Sequence, residues 1–105
     1  MAKDFMDKRM EYLYRGILTL ETMEDCRAFF EDLCTVKELS EMSRRLDAAK
    51  MLDESKLYTE IAEETGLSTA TISRVNRCLK YGSDGYVRVL ARLAEAEKEG
   101  EGSGK

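Results

Sequence analysis

Histidine, proline and tryptophan are absent from this sequence, and cysteine occurs only three times. Without histidine, the commonest general acid and base near neutral pH and a favoured zinc ligand are both missing. Cys26, Cys34 and Cys78 are odd in number, widely spaced and in no C-x-x-C arrangement. They therefore suggest neither a disulfide framework nor a metal site, but buried or half-buried thiols in a reducing cytoplasm. No nucleophile stands beside a base. The expectation is no enzyme, no catalytic residue, no metal and no cofactor. No apolar run approaches the ~20 residues that cross a bilayer, and "MAKDFMDKRM" is too charged for a signal peptide. A soluble cytoplasmic protein without a membrane partner is expected.

What is there points to helices. Hydrophobic residues make up 43% and charged residues 36% of the 105, a globular and helical balance. That length holds one domain with one modest core, and a larger core would need a second copy. The net charge of −4 is very uneven. Residues 1 to 66 hold 10 basic and 16 acidic side chains, residues 67 to 92 hold 5 and 1, and residues 93 to 105 hold 2 and 4. Positive charge is thus concentrated in one segment, as a local nucleic-acid footprint would be.

Six helices are expected. Met6, Met10, Leu13, Ile17 and Leu20 recur at alternating spacings of four and three, tracing an apolar seam that fits either an intrachain core or a dimer interface. Thr22, followed by Glu24 and Asp25, reads as a helix start. Thr35 to Glu38 reads as a T-x-x-E capping box opening a helix to about Glu54, with Leu39, Met42, Leu46, Ala49 and Leu52 on one face. Two helices follow at 58–65 and 69–81. Leu57, before the first of them, offers no side-chain acceptor, and Gly82, after the second, suits a left-handed cap. A last helix starts near Ser83 or Asp84 and packs Tyr86, Val87, Leu90 and Leu93. The domain is expected to cover residues 1–94, and 95–105 to form a disordered acidic, glycine-containing tail.

The segment "YTEIAEETGLSTATISRVNRCLKYG" carries Glu60, Glu63 and Glu64 before Gly66 and only Arg74, Arg77 and Lys80 after it. Two helices joined steeply by a short glycine-containing turn form a helix-turn-helix. From Tyr58 to Arg77, Ala62 is where the helices approach closely and Gly66 is where a Cβ would hinder the turn. Ile61, Leu67, Ile72 and Val75 occupy the apolar positions that glue the pair. At 100° per residue from Thr69, Ile72, Val75 and Leu79 fall at about 240° to 300°, and Thr69, Ala70, Ser73, Arg77 and Lys80 at about 0° to 100°. The first face suits a core. The second is short and polar at its N-terminal end and basic beyond, as in a helix reading a major groove and then meeting phosphates.

From Thr35 to Gly82, and most strongly in "EIAEETGLSTATISRVNRCLKYG", the sequence resembles the Trp-repressor-like proteins, in particular the YerC/YecD group. The resemblance covers nearly the whole chain apart from the tail. It implies an all-α, six-helix fold whose two subunits interlock through their N-terminal helices. In that family tryptophan is bound by two arginines, with a threonine beside the first and a glycine leaving room for the indole. By position the arginines are Arg45 and Arg74, an effector pocket if one exists, but the threonine position holds Arg44 and the glycine position Val75. L-Tryptophan is therefore not expected as a ligand. Arg45 and Arg74 are expected to be salt-bridged or phosphate-facing, which adds Arg74 to the DNA-binding set.

The leading expectation is a homodimeric, sequence-specific regulator of transcription, a repressor, that binds double-stranded DNA through residues 58–77. Competing readings are a protein-interaction module of the same fold without DNA binding, and a tryptophan-responsive repressor. Whether another small-molecule effector exists is left open.

Overall fold

The computed structural model describes residues 7–103. Among them it contains six α-helices: α1 (Lys8–Ile17), α2 (Met23–Leu33), α3 (Val36–Asp53), α4 (Tyr58–Thr65), α5 (Thr69–Tyr81) and α6 (Gly85–Ser103). The chain divides within α3 into two compact units, one ending at Leu39 and the other beginning at Ser40.

In the first unit helix ends are set by local polar groups. Asp7 caps α1, its Oδ1 accepting from the Met10 amide at 2.8 Å. The Gly16 carbonyl accepts from the Thr19 hydroxyl at 2.6 Å and from the Thr19 amide, which closes α1 at Ile17. The helix is therefore shorter than the Met6–Leu20 seam, and Met6 lies outside the described residues. Thr22 caps α2 as expected, accepting from Asp25 N at 3.0 Å, and Asp25 in turn accepts from Glu21 N. The Thr35 capping box is complete, with Glu38 N donating to Thr35 Oγ1 at 3.0 Å and Thr35 N to Glu38 Oε1 at 2.8 Å. None of residues 7–39 is buried, although Leu13, Ile17, Leu20, Phe29 and Phe30 are half-buried. Phe29 and Phe30 meet edge to face, their ring centroids 5.3 Å apart.

The second unit has a core. Ala48 and Ala49 of α3, Ile61 of α4, Leu67 of the turn, Ile72 and Val75 of α5 and Leu90 of α6 are buried together. Leu46, Leu52, Ala62, Leu79 and Tyr86 border them. Ala48, Ala49, Ile61 and Ile72 are all wholly covered, and small alanines on α3 suit close approach of neighbouring helices. Val87 and Leu93 of α6 and Cys78 of α5 remain exposed, against expectation.

One helix end completes the sequence reading and two correct it. Leu57 has no acceptor of its own, but its amide donates to Glu60 Oε1 at 3.0 Å, so α4 begins with the reverse half of a capping box. Gly82 has φ −87°, not the left-handed conformation; glycine fits there because a Cβ would collide with the Cys78 carbonyl oxygen. Asp84, at φ 68°, takes the positive-φ position in that loop instead. Finally, α6 continues through Ser103, where a disordered tail from residue 95 was expected. Alanine, glutamate and lysine over residues 94–99 are strong helix formers, which outweigh Gly100 and Gly102.

Candidate nucleic-acid interface

The helix-turn-helix forms where the residues place it. Gly66 ends α4 at φ 74°, ψ 6°, the left-handed geometry in which a side chain is strained. Thr65, buried at 5% exposure, stabilises the turn from inside. Its hydroxyl donates to the Ile61 carbonyl at 2.7 Å and accepts from the Leu67 amide at 3.2 Å. Ser68 then caps α5, accepting from Thr71 N at 3.1 Å while its own hydroxyl donates to Thr71 Oγ1. Leu67, Ile61 and half-buried Ala62 line the inside of the angle.

The two faces of α5 separate by burial as they do on the helical wheel. Ile72 and Val75 are buried and Leu79 half-buried, whereas Thr69, Ala70, Ser73, Arg74, Arg77 and Lys80 are all exposed. Among the described residues none of Arg74, Arg77 and Lys80 is held in an ion pair. With no acidic residue in its sequence, α5 presents charge of one sign. Such an array can neutralise phosphates, and short side chains in a helix's first turn allow close approach of a ligand to its backbone.

The second group of sequence-predicted residues is arranged differently. Arg45 is exposed and bound to Glu41 one turn earlier at 3.1 Å. Arg45 also lowers the pKa of Tyr86, but burial first, and then Cys78, outweigh it and leave that phenol above its ordinary value of 10.0. Val75 carries its branched side chain into the core at 3% exposure. Arg44 turns toward the motif: its Nη1 donates to the Thr65 carbonyl at 3.3 Å. The sequence reading treated Arg44 only as a departure from a family pattern and passed over Thr65. A threonine beside the turn glycine was the available signal for the latter; the former had none.

Comparison with known proteins gives this arrangement its setting. A family profile described as "Trp repressor protein" matches residues 8–94, from the start of α1 into α6. The chain belongs to the Trp repressor family. Proteins of the Trp repressor family are helix-turn-helix regulators and not enzymes. Uncharacterized protein YerC of Bacillus subtilis (strain 168) is 49% identical over 92 residues, spanning 88% of each protein. A solved TrpR-like protein from Eubacterium eligens superimposes with a TM-score of 0.83 at 49% identity, covering 88% of this chain and 95% of that one. A solved Staphylococcus aureus protein proposed as a Trp repressor gives 0.82 at 44% identity, covering 88% and 92%. Among the described residues no helix is long and apolar enough to cross a membrane.

Proposed function

We propose that this member of the Trp repressor family is a cytoplasmic homodimer that binds specific double-stranded DNA sites through α4 and α5 and represses transcription. The observation that carries this reading is the division of α5: one face buried in the core, the other exposed, short-chained at Thr69, Ala70 and Ser73 and cationic at Arg74, Arg77 and Lys80. Dimerisation is supported by the first unit, where the seam residues Met10, Leu13, Ile17 and Leu20 are half-buried or exposed and none is fully covered. L-Tryptophan is not the effector in this reading, since Val75 fills the position that an indole would need and both Arg44 and Arg45 already have acceptors.

Selection of sites from a random duplex pool, followed by salt titration, tests the proposal. The selected site is expected to be an inverted repeat with half-site centres about 10 base pairs apart. Arg77→Ala or Lys80→Ala weakens binding to every duplex and reduces the salt slope by about one unit per lost contact. Ala70→Leu costs affinity mainly at the selected site and shifts base preference there. If no variant affects DNA binding, the motif is a core element of an interaction module. A saturable isotherm with L-tryptophan near physiological concentration would restore the tryptophan-responsive reading.

A further inference from the structure

We infer that Arg44 is a positioning residue that holds the DNA-reading motif at a fixed attitude to α3; its part in DNA recognition rests on the function proposed above. Three observations converge on it. The Nη1 of Arg44 reaches across 21 residues of sequence to donate to the carbonyl of Thr65, the last residue of α4. The same Nη1 lies against the turn itself, 3.5 Å from where a Cβ on Gly66 would stand. The Nε is sealed from solvent without an acceptor among the described residues.

The chemistry of that position is specific. The last carbonyls of a helix lack amide partners and carry its negative pole, so a guanidinium there satisfies an orphan acceptor and the dipole together. Thr65 is already tied to Ile61 and Leu67 by its hydroxyl, so its carbonyl cannot shift without moving the start of the loop that leads into α5. A donor anchored on α3 thus constrains where α5 begins. Being planar, a guanidinium can lie flat against the turn while one nitrogen donates; an ammonium would donate without that contact.

The sealed Nε separates this role from simple fold support. A half-buried guanidinium with one donor unsatisfied is a weak source of stability: removing it frees the Thr65 carbonyl of its donor, a cost partly offset because the unsatisfied Nε goes too. Arg44 should accordingly matter more to the order of the turn than to the stability of the protein.

The test compares the full chain with Arg44→Met and Arg44→Lys by thermal unfolding, by amide exchange in the free protein, and by affinity for the selected site and for a random duplex. In Arg44→Met the midpoint falls only slightly, the orphaned Thr65 carbonyl being partly offset by loss of the unsatisfied Nε. Exchange at the Gly66 and Leu67 amides quickens about tenfold relative to the α3 amides, the size expected for one hydrogen bond from a charged donor. Affinity for the selected site falls by a similar factor, more than affinity for random duplex. Arg44→Lys restores part of the turn protection but not the full affinity. A large drop in midpoint with uniform loss of protection would make Arg44 ordinary fold support, and unchanged exchange at the turn would remove it as a strut. If the wild-type chain binds no duplex, the DNA reading fails, while the exchange comparison still decides whether Arg44 holds the turn.

Discussion

Residues 7–39 and the unit that begins at Ser40 are both built from amphipathic helices, yet only the second closes a core. Leu18, Met23 and Val36 are each more than four-fifths exposed in the first, whereas Ile61 and Ile72 are wholly covered in the second. The apolar seam of α1 is no less regular than the apolar face of α5. Periodicity reports that a face requires cover and is silent on what covers it. In the second unit α4, α5 and α6 supply the cover from within one chain. In the first the same need, in a chain of this size, is what a second copy would meet.

The largest expected effect breaks the comparison if the proposal of a dimer is wrong. Leu13→Glu places a charge in the seam and is expected to weaken self-association about a thousandfold, ~4.2 kcal/mol. Sedimentation should show micromolar wild type as a dimer and the variant as a monomer. Amides of α4 and α5 should stay protected in that monomer while those of α1 and α2 exchange freely. Simultaneous loss in both regions would mean that the second unit does not stand on its own core.

A core substitution sharpens the contrast. Ile72→Ala removes a fully buried side chain and should cost ~3 kcal/mol whether or not Leu13→Glu is present. Ile17→Ala should cost stability in the wild-type background and almost nothing beside Leu13→Glu, because its cover is already gone. Equal coupling of both residues to Leu13 would erase the distinction between the two regions.

Smaller effects probe the local ends. Glu60→Ala leaves the Leu57 amide without its acceptor and should lower unfolding free energy by about 1 kcal/mol in denaturant titration. An unchanged midpoint would show that water replaces that cap at no cost. Ser55 holds φ 64° after α3, where Lys56 N bonds to Met51 O and Ser55 N to Leu52 O, a Schellman ending that favours glycine. Ser55→Gly should gain about 0.5 kcal/mol, the relief of ~1–2 kcal/mol of left-handed strain less the ~0.4–1 kcal/mol of added freedom when unfolded. A loss of stability would mean that Ser55 makes up its strain elsewhere.

Much of the motif was legible because its signals are short-range. Gly66 at the turn, the Thr22 and Thr35 caps and the two faces of α5 each depend on residues within four positions or on a fixed helical period. Misreadings arose where one local rule competed with another. Gly82 invited a left-handed cap, but the chain passes close to the Cys78 carbonyl and glycine relieves crowding instead. The glycines near the C-terminus suggested disorder, but the alanines and charged residues before them favour continuing α6. At Leu57 the absence of a side-chain acceptor was read rightly, and what the reading left out is that Glu60 accepts from the Leu57 amide.

The sequence by itself determined the helix order, the turn at Gly66 and the separation of a cationic face from an apolar one, since hydrogen bonds inside a helix and its caps join residues only a few positions apart and their signals are local. Only the tertiary structure decided that Ala48 and Ala49 lie at the centre of the core and that Arg44 meets the Thr65 carbonyl. Those contacts depend on where separate helices cross, and a bond between residues 21 apart in sequence leaves no mark in the local pattern of either.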